Sequence, residues 1–230
     1  MRKLPGIAVS ALAAALLATA ALPAIAEAQG RVFGLKGGLT SSKFLFAHDD
    51  EFEGADEFLS NRSSVAGGAF MTFGANRMVG LQVEALYVQK GVSGDADFEG
   101  ESIEGEMALT YVEVPVLLRV AFPMGSARPY VFAGGAGAME LSCEISLSSG
   151  GQTETSECRD EEEGDQSLRT FDLSAVFGAG VELAMGKMIL GLDARLTRGL
   201  QSLDESGDSD VKNQAILFLA SVGFPLGGAN

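Results

Sequence analysis

The chain has 230 residues and a formal net charge of −15, yet 47% of it is hydrophobic and 30 residues are glycine. So acidic a chain would repel nucleic-acid phosphates. One histidine and two cysteines are too few ligands for a zinc centre.

In chain order, Arg2 and Lys3 form a positive start and Ile7 to Leu22 an apolar run. Small residues then offer cleavage frames ending at Ala26 or Ala28. Residues 1–28 therefore read as a cleaved Sec signal peptide, and 29–230 as one domain. No later stretch of 18 apolar residues occurs, so a transmembrane helix is not expected.

Eight segments alternate with a period of two, the signature of strands. They are Val32–Phe44, Ser63–Gly74, Met78–Lys90, Met107–Phe122, Arg128–Leu141, Phe171–Ala184, Met188–Leu200 and Gln214–Leu226. Most exceed the usual globular strand length and supply the ~9–11 residues that a tilted membrane strand needs. Ala75–Arg77, Pro123–Ala127 and Met185–Lys187 read as tight turns. Phe46–Arg62, Gly91–Glu106, Ser142–Thr170 and Gln201–Asn213 read as long polar loops. Long and short connections alternate strictly, so an antiparallel up-and-down barrel gathers the long loops at one rim. The four loops carry 24 of the 31 acidic residues and only Arg62, Arg159, Arg169 and Lys212 as bases. Short periplasmic turns and long extracellular loops are the asymmetry of outer-membrane barrels.

Strand parity sorts the side chains into two faces. In Met107–Phe122, Val112, Val114, Val116, Leu118, Val120 and Phe122 share one face, and Tyr111, Glu113, Pro115, Leu117 and Arg119 the other. The polar faces are poor in charge and rich in glycine, which suits a crowded lumen with lipid outside. Arg128–Leu141 is ambiguous, because Tyr130 and Phe132 share a parity with Glu140. By parity, Lys36, Lys90, Arg119 and Arg195 face the same side as Glu84, Glu113, Asp172, Glu182 and Asp193. Unpaired charges in a low-dielectric interior are costly, so these nine are expected to pair and plug the barrel. Cys143 and Cys158 in an exported chain read as a disulfide.

Phe33-Gly34-Leu35-Lys36-Gly37-Gly38-Leu39, Tyr111-Val112-Glu113-Val114-Pro115-Val116-Leu117-Leu118-Arg119 and Arg128-Pro129-Tyr130-Val131-Phe132-Ala133-Gly134-Gly135 resemble the PorT-like outer-membrane β-barrel family. The resemblance implies an all-β, eight-stranded transmembrane barrel in the bacterial outer membrane. Ile216, Phe218, Ala220, Val222 and Phe224 resemble the signal read by the barrel-assembly machinery, in an internal position. Outer-membrane lipid and that machinery are then the expected partners, and no cofactor is implied.

No enzyme motif emerges: Gly-x-Ser-x-Gly, zinc spacing and phosphate loop are all missing from the sequence. His48, beside Asp49, Asp50 and Glu51, reads as a solvated loop residue. Asp204 to Asp210 loosely resembles a calcium loop without the EF-hand spacing. Weak divalent-cation binding at the acidic loops is the most this supports, with no dedicated metal site. Two functions stay open: a structural or surface-interaction barrel, and a small-solute porin or ligand-binding barrel.

Overall fold

The computed structural model describes residues 30–46, 59–74, 78–98, 101–150, 152–158, 171–201 and 211–226. The expected signal peptide, His48 and the Asp204–Asp210 run lie outside them. Among the described residues, nine strands form one antiparallel sheet: β1 (Arg31–Phe46), β2 (Leu59–Gly74), β3 (Val79–Phe98), β4 (Glu101–Ala121), β5 (Ala127–Ser149), β6 (Gln152–Glu157), β7 (Phe171–Met185), β8 (Met188–Gly199) and β9 (Val211–Leu226). Eight of them close into a ring. β1 pairs with both β2 and β9, and the β4–β5 pairing joins the other ends of the ladder. A closed sheet satisfies backbone groups that lipid cannot.

β6 was not expected. It falls within the long connection Ser142–Thr170 and pairs with β5 in a hairpin, from Glu144↔Glu157 to Ser149↔Gln152. β3 and β4 likewise continue as a paired ladder out to Phe98↔Glu101, through what the sequence reads as the loop Gly91–Glu106. Outside a membrane both faces of a hairpin meet water. Every β6 side chain is exposed, so no apolar alternation marks it. Ser146 and Thr155, and Ser148 and Thr153, join hydroxyls across the hairpin at 3.0 and 2.9 Å.

The outside of the ring is an apolar belt. Leu35, Leu118, Phe177, Leu192 and Phe218 all stand at least half exposed, with Leu192 and Phe218 at 61%. Tyr87 and Phe171 toward one end, and Phe122 and Phe224 toward the other, also face outward. A belt of this size would be an aggregation hazard in water and is at home in lipid.

Tyr130 and Phe132 resolve the ambiguity in β5: both are 5% exposed and point into the lumen. The β4–β5 register shifts at Thr110/Tyr111, leaving Leu141 as an extra residue on β5. Such a bulge reverses the facing of the residues beyond it, so Cys143 points inward and packs with Leu109, Tyr111 and Ala138. Cys143 is bonded to Cys158, with Cα atoms 5.4 Å apart. The sulfur bridge therefore fastens the β5–β6 hairpin beside the barrel's packed long-loop end, rather than lying in an open loop. Closing a loop of this length contributes about 3 kcal/mol in the chain-entropy model.

Candidate functional site in the barrel lumen

Inward side chains decide whether such a barrel is a pore or a solid. All nine charged residues singled out by parity are buried, and they gather in three groups.

In the central group, Glu84 on β3 accepts hydrogen bonds from Lys36 Nζ at 2.7 Å, Arg195 Nη1 at 2.6 Å and Gln82 Nε2 at 2.5 Å. Asp193 accepts from Arg195 Nε at 3.1 Å and Nη2 at 2.9 Å, and from Lys36 Nζ at 3.3 Å. Thr72 donates to Gln82 Oε1 at 3.0 Å. Two cations thus meet two carboxylates, and the group is neutral. The second group lies nearer the long-loop rim. There Lys90 pairs with Glu113, and Asn213 Nδ2 donates to Tyr111 Oη at 3.3 Å. Asp172 lies beside Lys90 and Asn213. The third group sits at the short-turn end, where Arg119 Nη2 lies 2.7 Å from Glu182 Oε1.

Aromatic rings bind these groups to the wall. Lys36 lies over Phe70 at 5.0 Å, Lys90 over Tyr111 at 5.3 Å, Arg119 over Tyr130 at 3.6 Å and Arg195 over Phe132 at 5.1 Å. Each of these four bases therefore has a ring face as well as a carboxylate, and a desolvated contact of this kind contributes about 2 kcal/mol. The rings need room, and glycine supplies it. A Cβ on Gly34 would overlap Phe70, one on Gly178 would overlap Phe132, and one on Gly180 would overlap Tyr130. Gln82, Phe70, Tyr111, Phe132 and Asn213 were missed as partners from sequence. The inward glycines opposite the aromatics were the available signal.

Apolar side chains fill the space between the polar groups. Leu86, Val88, Leu217 and Leu219 form one cluster, and Leu117, Tyr130, Phe132 and Val176 another. An inner face of mainly polar residues and glycine is the expectation from sequence; the lumen instead mixes paired charges with packed hydrocarbon. Side chains of an eight-stranded barrel can just fill its interior, and these do so without a continuous polar lining. Among the described residues, no three His, Cys, Asp or Glu side chains converge to hold a metal ion.

The family model described as outer membrane protein beta-barrel domain matches residues 27–205. The chain belongs to this family. The barrel accordingly resides in the bacterial outer membrane. No curated protein matches the sequence. Among solved structures, the barrel is similar to the outer membrane protein OprG from Pseudomonas aeruginosa, with 13% identity, a TM-score of 0.49 and coverage of 87% of this chain and 98% of that one. It is also similar to the attachment invasion locus protein Ail of Yersinia pestis (14% identity, TM-score 0.41, 86% and 99% covered). Neisserial surface protein A is a further similar structure (11% identity, TM-score 0.44, 84% and 96% covered).

Proposed function

We propose that this is a closed, non-conducting outer-membrane barrel, with a structural or surface-interaction role carried by its acidic long-loop rim rather than by catalysis. The carrying observation is the lumen: Lys36, Glu84, Asp193 and Arg195 form a neutral, fully buried network, flanked by apolar clusters. A conducting pore requires a continuous wet lining, often of one charge sign, and buried opposite charges held by hydrogen bonds oppose this. In this reading residues 1–28 are removed on export, 29–230 form the barrel, and the relationship within the family is PorT-like. Outer-membrane lipid and the assembly machinery are its partners, with weak divalent-cation binding at the acidic rim.

Refolded protein in planar bilayers should give no steady conductance. Stable open levels, unchanged by neutralising Arg119 or Glu113, would overturn the closed-lumen reading in favour of a small-solute channel.

The rim assignment has its own test. Long loops and their acidic charge belong outside the cell, and short turns in the periplasm. An epitope inserted at Gly151, beside the β5–β6 turn, should be labelled on intact cells, and one appended after Asn230 should not. The reverse pattern would invert the topology and sink the surface role.

A further inference from the structure

The short-turn mouth of the barrel holds a cavity of about 310 Å³ that the plugging network does not fill. This volume lies at the small end of the range for ligand pockets. Among the described residues its inward charged lining is Arg119, Arg128 and Glu182, and its apolar wall includes Val32, Ala121, Ile189 and Pro225. Two inward guanidinium groups against one carboxylate give this lining a net positive charge inside a chain of net charge −15. The cations are not all satisfied. Arg119 is 6% exposed, and its Nη2 already faces Glu182 at 2.7 Å. Among the described residues its Nε is buried with no hydrogen-bond partner, and so is Arg128 Nε. Buried N–H groups are nearly always bonded, and an orphan pair on two neighbouring arginines is unusual. A guanidinium fork matches the oxygens of phosphate and carboxylate. Stacked on the Tyr130 ring at 3.6 Å, Arg119 is held in place before any ligand arrives.

We propose that this cavity binds a small amphiphilic oxyanion, its phosphate head on Arg119 and Arg128 and its short apolar tail against Val32, Ala121, Ile189 and Pro225. The same chemistry is presented by a phospholipid headgroup and by a soluble organic phosphate.

Calorimetry on the refolded, full-length barrel in neutral detergent tests this with inorganic phosphate, hexyl phosphate and hexanol. Hexyl phosphate should bind saturably, at least tenfold more tightly than inorganic phosphate, and more weakly as salt is raised. Hexanol should not bind. Arg128→Gln, which leaves the Arg119–Glu182 pair intact, should weaken hexyl phosphate binding by tenfold or more, while Arg128→Lys retains part of it. Undiminished binding by Arg128→Gln, equal binding of hexanol, or no saturable heat from hexyl phosphate would each overturn the proposal. Lipid discs name the source. Weaker hexyl phosphate binding in phosphatidylglycerol discs than in phosphatidylcholine discs assigns the head to lipid, and equal binding assigns it to a soluble anion. Either result upholds the pocket.

Discussion

Replacing Arg195 with methionine should destabilise the barrel by about 3–5 kcal/mol, the usual result of removing one partner from a buried ion pair. Arg195 makes four hydrogen bonds, two to Glu84 and two to Asp193. Without it, Lys36 alone faces two carboxylates whose side chains are at most 1% exposed. Methionine keeps most of the volume and the contact with the Phe132 ring, so the loss is chiefly electrostatic. The measurement is the urea midpoint of the folded, heat-modifiable band in detergent. A second variant carries the argument: Glu84→Met combined with Arg195→Met leaves Lys36 and Asp193 as a neutral pair. The double variant should therefore be more stable than Arg195→Met alone. If it is less stable, volume rather than charge balance dominates the lumen, and the network reading fails.

Gly178→Val should also be strongly destabilising, by roughly 1–3 kcal/mol or more, as overpacking is in cores. Valine is a better strand former than glycine, so propensity alone predicts the opposite sign. The Cβ at 178 would enter the space of the Phe132 ring and crowd the Ala194 carbonyl. Gly135 provides the contrast on the lipid face of β5. Its nearest neighbour for an added Cβ is the Ser174 carbonyl oxygen at 3.7 Å, an ordinary contact. Gly135→Val should be neutral or mildly stabilising. Equal effects at the two positions would show that the rings do not depend on the glycine floor.

The contrast also explains what the sequence could reveal. Where one face meets lipid and the other a packed lumen, alternation is strong, and β4, β7, β8 and β9 stand out. The chain around Gln152–Glu157 has water on both faces, so β6 carries no such signal although its ladder is complete. Parity told that Glu84 and Arg195 share the inside. It could not tell that they meet across 111 residues, because that depends on how the ring closes. Tyr130 and Phe132 were ambiguous for a related reason: aromatic residues suit lipid, and they suit a glycine-floored lumen equally well. Leu117, Leu217 and Leu219 lie inside because a lumen this narrow accepts hydrocarbon as readily as ion pairs.

The seam between the first and last strands constrains the order of assembly. β1 and β9 pair along their whole length, from Arg31↔Leu226 to Phe46↔Val211. Partners so far apart in sequence meet late, since closing a long loop is entropically slow and precedes any return from the contact. Until β9 arrives, β1 has one open edge and β8 another, each a template for pairing with a foreign strand. The lumen is equally incomplete at that stage, because β9 contributes Ala215, Leu217 and Leu219 to an inner cluster. The ninth described strand thus both closes the edge and completes the interior. An intermediate stalled before it would be both adhesive and hollow, and it must be shielded until the seam forms.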